Sequence, residues 1–146
     1  MYTYSAENAQ IYSQINILGT TYEISFNEVS RLLGNLQGKT VLDFGTGTGR
    51  SARFLQMLGA KKVVGVDRDK NMIAQAQAEP HEHIVFSLMT EKTIPLPSEM
   101  IDIALSAHAL VETRTLENIR RAVSEVARVL RPESLFLLIS TNPFSI

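Results

Sequence analysis

Lys39-Thr40-Val41-Leu42-Asp43-Phe44-Gly45-Thr46-Gly47-Thr48-Gly49 is a short apolar run that breaks into alternating glycines. Its first half, Lys39 to Phe44, reads as a strand. Its second half reads as a tight turn, because glycine takes backbone angles that side chains resist and lets a ligand lie against bare backbone. Residues 50–58, Arg50 to Leu58, then read as a helix stopped by Gly59. A helix starting at such a turn aims its N–H groups and positive dipole end at the turn's occupant. A glycine run alone is unspecific; a strand before it and a helix after it give it meaning.

The alternation continues downstream. Lys62-Val63-Val64-Gly65-Val66-Asp67 reads as a second strand ending in an acid, and residues 69–78 as a helix with Asp69 as its N-cap. His83 to Ser87 is a third strand, Pro95 to Glu99 a loop, and Met100 to Ser106 a fourth strand. Residues 115–130 form an amphipathic helix with Leu116, Ile119, Val123, Val126 and Leu130 inward, ended by Pro132. Leu135 to Ile139 is a fifth strand. Strands alternating with helices call for crossovers and a parallel α/β sheet. Both faces of such a sheet are covered, which explains strands that read as continuous apolar runs.

Upstream, residues 5–18 read as a helix capped by Ser5, with Ala6, Ala9, Tyr12, Ile15 and Leu18 on one face. Residues 22–34 read as a second, with Ile24, Val29, Leu32 and Leu33 as its stripe and Gly34 at its end. The chain is therefore expected to be one domain, residues 1–146, with a helical cap over 1–38 and a ligand-binding core over 39–146.

The bulk composition narrows the function. The 146 residues carry a net charge of -1, with 45% hydrophobic and 20% charged residues. No global basic field draws in nucleic acid or anionic membrane, so neither is an expected partner. The absence of cysteine removes disulfides, thiolate zinc sites and cysteine nucleophiles. The N-terminus lacks the basic start and apolar run of a secretory leader. No stretch reaches the roughly 18 apolar residues of a membrane span. A cytoplasmic location is expected.

Asp67 ends the second strand, 18 residues past Gly49. An acid there accepts hydrogen bonds from the ribose hydroxyls of an adenine nucleoside. A dinucleotide site would place a third glycine where Arg50 stands, and Arg50 would add bulk where the helix packs closest to the sheet. Asp43 sits where a carboxylate meets an ammonium group, directly or through water. A methionine-like ligand has an ammonium and a pyrophosphate has none. Both details favour a sulfonium nucleoside over NAD.

Residues 39–140 resemble the class I S-adenosylmethionine-dependent methyltransferases, of the small type related to ubiquinone/menaquinone methylases. Val41 to Gly49 resembles the family's first motif, with Thr46 where the family often has cysteine. Val64-Gly65-Val66-Asp67 resembles the second, Leu96 to Ala104 the loop and fourth strand, and Arg128 to Pro132 the stretch before the fifth strand. The resemblance implies a Rossmann-like sheet in order 3-2-1-4-5, S-adenosylmethionine as cofactor, and methyl transfer to a small molecule. It implies cofactor contacts at Asp43, Gly45, Thr46, Gly47, Thr48, Gly49, Asp67, Arg68, Met72, Ser106 and Ala107. Met89, Thr90 and Glu91 stand where the family often has a Gly-Asp-Ala-like triplet, so Thr90 and Glu91 are the candidate adenine contacts. Relatives usually continue through a further helix and strands 6 and 7. Without these the fifth strand is an exposed edge that a homodimer would cover.

His108 stands at the ligand end of the fourth strand, either as a general base or substrate contact or as a loop histidine without a role. Asp102, at the opposite end, reads as structural. His81-Glu82-His83 reads as solvated loop rather than a metal pair, since no third ligand is evident. Tyr4 and Tyr12 on the first helix either touch the cofactor or pack. Arg114, Arg120, Arg121, Arg128 and Arg131 read as a solvated helix face and end. Two other functions stay open: a non-catalytic cofactor-binding fragment or regulatory partner, and an NAD-dependent oxidoreductase.

Overall fold

The computed structural model describes residues 4–14, 18–110 and 115–140, so Ile15 and Arg114 lie outside the described residues. In chain order the elements are α1 (Ala6–Gln14), α2 (Thr21–Leu33), β1 (Thr40–Phe44), α3 (Arg50–Met57), β2 (Lys62–Asp67), α4 (Lys70–Gln77), β3 (Ile84–Leu88), β4 (Ile101–Ala107), α5 (Leu116–Val129) and β5 (Leu130–Ile139). The five strands form one parallel sheet in the order β3-β2-β1-β4-β5, as the alternation and the resemblance imply. The order reverses between β1 and β4. A crevice opens at the carboxyl ends of strands at such a reversal, and the glycine turn leaves β1 there.

Successive strand residues point to opposite faces. Val41, Val63 and Leu105 pack with Val29 of α2, Leu55 of α3 and Ile73 of α4. Leu42, Val64 and Ala104 pack on the other face with Val126 and Val129 of α5 and with Ile94. The three layers put the end of β1 at the centre of the molecule. Among the described residues, no helix is long and apolar enough to cross a membrane.

Helix existence follows the sequence pattern; the inward face does not always. Leu116 is 73% and Val123 39% exposed, and Ala122, Val126 and Val129 face the sheet instead. Val126 belongs to both candidate stripes, and contact with β4 and β5 selects between them. On α2, Ile24 and Leu32 are exposed while Phe26 and Val29 are buried. On α1, Ala9 is buried, whereas Ala6 and, beyond the helix, Leu18 are exposed. Pro132 does not follow the helix in a loop. α5 passes directly into β5, which starts five residues before the expected Leu135 and includes Pro132. β5 lies at the sheet's margin, where a missing N–H costs no ladder bond.

Arg128 is no solvated end charge. Its guanidinium donates to the carbonyls of Leu96 at 2.9 Å and Ile94 at 3.0 Å and pairs with Glu125 at 2.9 Å. Glu125 in turn accepts the Ile94 N–H at 3.0 Å. The pair pulls the β3–β4 connection down and seats Ile94 in the core. Arg131 pairs with Asp102, which also accepts the Thr40 N–H at 2.8 Å and so fixes the start of β1. Replacing Arg128 with alanine leaves two carbonyls and Glu125 without their donor. The expected cost is about 1–3 kcal/mol of unfolding free energy, read by denaturant titration at neutral pH.

Candidate functional site

The glycine turn closes over a buried acid. Asp43 is 0% exposed, and its Oδ2 accepts from the hydroxyls of Thr46 at 2.5 Å and Ser51 at 2.7 Å. Its Oδ1 has no hydrogen-bond partner among the described residues. Burial pushes the Asp43 carboxyl up to about 6, although both hydroxyl donors pull it down. The N–H groups of Gly45 and Thr46 donate to the Val66 carbonyl at 2.8 and 3.0 Å, tying the turn to β2. Gly45 has φ 75°, and a Cβ on it would lie 2.1 Å from the Ala109 Cβ. Glycine is required there by backbone and by space. Gly47 shares the positive φ, at 54°, that resists a side chain, but a Cβ on it would meet nothing within 4 Å.

Asp67 reaches the turn from the end of β2. Its two carboxylate oxygens accept the N–H of Gly47 and of Asp69, each at 2.9 Å. Each oxygen keeps further accepting capacity. Burial raises the Asp67 carboxyl above its ordinary range. Two clefts meet at Asp67, Arg68, Gly45 and Ala109. One runs past Met89, Thr90 and Glu91 toward Asn118 and Arg121 of α5. The other runs under the N-terminal helices and is lined by Tyr4, Tyr12, Tyr22, Gly47, Met72, Ala107 and His108.

Gly45, Gly47, Asp67, Arg68, Met72, Thr90, Glu91, Ala107 and His108 therefore face this double cleft. Asp43, Thr46, Thr48, Gly49 and Ser106 are buried behind it. The Ser106 Oγ lacks a hydrogen-bond partner among the described residues, like Asp43 Oδ1. The Thr90 hydroxyl is engaged in its own turn, accepting from the N–H groups of Lys92 at 3.2 Å and Thr93 at 3.0 Å. His81 accepts a hydrogen bond from Arg53 at 2.9 Å rather than standing free in a loop.

Tyr22, Ser25 and Ala109 enter the site without a sequence signal, since neither periodicity nor motif spacing marks them. Arg50 does not crowd the helix–sheet contact, as its bulk suggests. Its guanidinium lies 4.9 Å from the Tyr12 ring and 5.0 Å from the Tyr22 ring, and it donates to the Tyr12 carbonyl at 2.7 Å. The two tyrosine hydroxyls are 2.6 Å apart, and burial pushes the Tyr12 hydroxyl's pKa up, keeping it protonated. Asp69 caps α4 through Oδ1 and accepts the Tyr4 N–H on Oδ2 at 2.7 Å. His108 adopts φ 61°, unusual for a residue with a side chain, while its N–H donates to the Ile139 carbonyl at 2.9 Å. Burial lowers its pKa, favouring the neutral imidazole.

Residues 42–138 match a family model described as Methyltransferase domain. An uncharacterized methyltransferase of Bacillus subtilis, YcgJ, is 33% identical over 103 residues, 68% of this chain and 39% of that protein. A demethylmenaquinone methyltransferase of Tropheryma whipplei is 32% identical over 128 residues, 85% of this chain and 52% of that protein. The solved structure of YcgJ superposes with a TM-score of 0.70 at 29% identity, covering 80% of this chain and 50% of that one. A SAM-dependent methyltransferase from Aquifex aeolicus superposes with a TM-score of 0.74 at 25% identity, covering 91% and 71%. The chain spans about half the length of the curated relatives it matches, 39% and 52% for the two named here.

The raised carboxyl of Asp43 has a signed consequence. The folded state holds a proton on Asp43 up to about 6, whereas the unfolded chain releases it in the ordinary carboxylate range. This group therefore favours folding at low pH and loses that contribution as pH rises toward about 6. Asp43→Asn keeps an oxygen for the Thr46 and Ser51 hydroxyls and removes the titration. Its melting temperature, relative to the wild type, is expected to rise as pH goes from 4.5 to 7.5, roughly spanning the raised carboxyl's titration; scanning calorimetry at both pH values checks it.

Proposed function

The chain belongs to the methyltransferase-domain family of S-adenosylmethionine-dependent enzymes, and on that premise we propose that it binds S-adenosylmethionine across the double cleft and methylates a small molecule. The observation that carries this reading is Asp67, where the two clefts meet with accepting capacity left on both carboxylate oxygens. A ribose diol offers two adjacent O–H donors, which suits that acid.

The other residues fit the same ligand. The open space above Gly47 admits the methionine portion against bare backbone. Asp43, with one oxygen lacking a donor, answers an ammonium group through water from beneath the turn. Arg68, Met72, Thr90 and Glu91 surround the adenine side. Ala107 lines the reactive end, with Ser106 behind it. Thr46, Thr48 and Gly49 act from behind by holding the turn.

S-adenosylmethionine, when bound, supplies a methyl group already activated on a sulfonium. What remains for the protein is to align the acceptor and to exclude water. Tyr4, Tyr12 and Tyr22 close the second cleft, and His108 stands there as the group that takes a proton from the acceptor. The net charge of -1 and the narrow aromatic cleft favour a small acceptor over a nucleic acid.

Isothermal titration with S-adenosylhomocysteine, and separately with NAD, tests the reading. The expected result is saturable binding of the first alone, weakened about tenfold or more in Asp67→Ala by the loss of hydrogen bonds to a charged group. No binding by a folded wild-type chain, or preference for NAD, overturns it. Two glycine variants separate space from stability. Gly47→Ala is expected to lose affinity, because its methyl group enters the ligand's volume, and to melt lower by less than Gly45→Ala, because its positive φ is strained but no atom is met. Gly45→Ala is expected to melt markedly lower, because its methyl group meets Ala109.

A further inference from the structure

The imidazole of His108 is held from three sides. The backbone N–H of His108 donates to the Ile139 carbonyl at 2.9 Å, which keeps the residue at φ 61°. Backbone strain of this kind persists only where the surroundings over-determine it. Its Nε2 lies 3.1 Å from the Ser25 Oγ. The Tyr22 ring meets the imidazole edge-on, with centroids 5.2 Å apart and planes at 77°. Tyr22 and Ser25 are three residues apart on α2 and share one helix face. Val29 and Phe26 anchor that helix in the core, with Phe26 stacked on Phe54 at 4.7 Å. Nδ1 makes no hydrogen bond among the described residues.

We propose that Ser25 is a positioning residue: it accepts a hydrogen bond from Nε2–H of His108, fixes that tautomer, and leaves Nδ1 as the nitrogen that takes the acceptor's proton. A neutral imidazole has one N–H and one lone-pair nitrogen, and a partner on one decides the other. A serine inside a helix can send its own proton to the carbonyl one turn back, which leaves its oxygen to accept. Ser25 is the fifth residue of α2, so the carbonyl one turn back is that of Thr21.

The assignment rests on the methyl-transfer reading and narrows the acceptor class. A base at this point serves an acceptor whose nucleophilic atom carries a proton: a hydroxyl, an N–H or an acidic C–H. A thioether or a tertiary amine has no use for it. In the exchange the bond from acceptor atom to methyl carbon forms and the carbon–sulfur bond breaks. Its electron pair stays on sulfur, and the acceptor's proton goes to Nδ1.

Nitrogen-15 NMR of the imidazole rings in the full chain, saturated with S-adenosylhomocysteine, tests this. His108 is one of three histidines, and its signal is identified by its loss in His108→Gln. The wild type is expected to carry its proton on Nε2 in at least about tenfold excess, which corresponds to one good hydrogen bond. Ser25→Ala is expected to lower that excess severalfold, toward the ratio of a free neutral imidazole, and Ser25→Thr, which keeps the hydroxyl, to restore it. A wild-type ring protonated on Nδ1 overturns the proposal and needs no variant to be read. So does a tautomer ratio unmoved in Ser25→Ala. The S-adenosylhomocysteine titration of the wild type is read separately: failure there strikes the methyl-transfer reading, while a wrong tautomer with intact binding strikes only Ser25.

Discussion

Everything at the site depends on a carboxylate taken out of bulk solvent. Burying an ionised group costs several kcal/mol unless donors replace its hydration. Asp43 is fully enclosed at the end of the central strand, and the hydroxyls of Thr46 and Ser51 are its donors. Those bonds turn Thr46 inward and set where α3 begins. With Thr46 facing in, its N–H and that of Gly45 reach Val66, and the next turn brings Gly47 N–H to Asp67. One buried acid thus orients the glycine loop and, through it, the second acid, which stands where the two clefts meet.

The N-terminal helices are attached by different forces. α1 buries Ala9 and otherwise holds on through polar bonds: Tyr4 to Asp69, the Asn71 amide to the Tyr4 carbonyl, and Arg50 to the Tyr12 carbonyl. Elements tied by little apolar area open at a lower free energy than the core. Arg50 couples the two regimes, since it starts α3 at the glycine turn and stacks on tyrosines from α1 and α2. One of its nitrogens, Nη1, is buried without a partner among the described residues, so the closed arrangement is not fully satisfied.

Arg128 shows how a charge read as surface becomes architecture. Helix-end arginines are usually solvated, and the sequence offers no reason to exempt this one. In three dimensions the carbonyls of Ile94 and Leu96 arrive beside it from more than thirty residues away. The same limitation applies to the face of α5: several rotations of an amphipathic helix satisfy the periodicity, and only the position of the sheet chooses among them.

The sequence by itself determined the alternation of strands and helices, the strand order through its family resemblance, the turn at Gly45 to Gly49 and the acid at Asp67. Those features are local or closely spaced: an apolar run, glycines where side chains do not fit, an acid at a strand end. The tertiary structure alone decided which of the marked residues face the cleft and which support it from behind, as Asp43, Thr46 and Ser106 do. It also alone decided that Tyr22 and Ser25 meet His108, some 83 residues from Ser25. Contacts at that separation are set by the packing of α2 against the sheet, and pair spacing along the chain carries no trace of them.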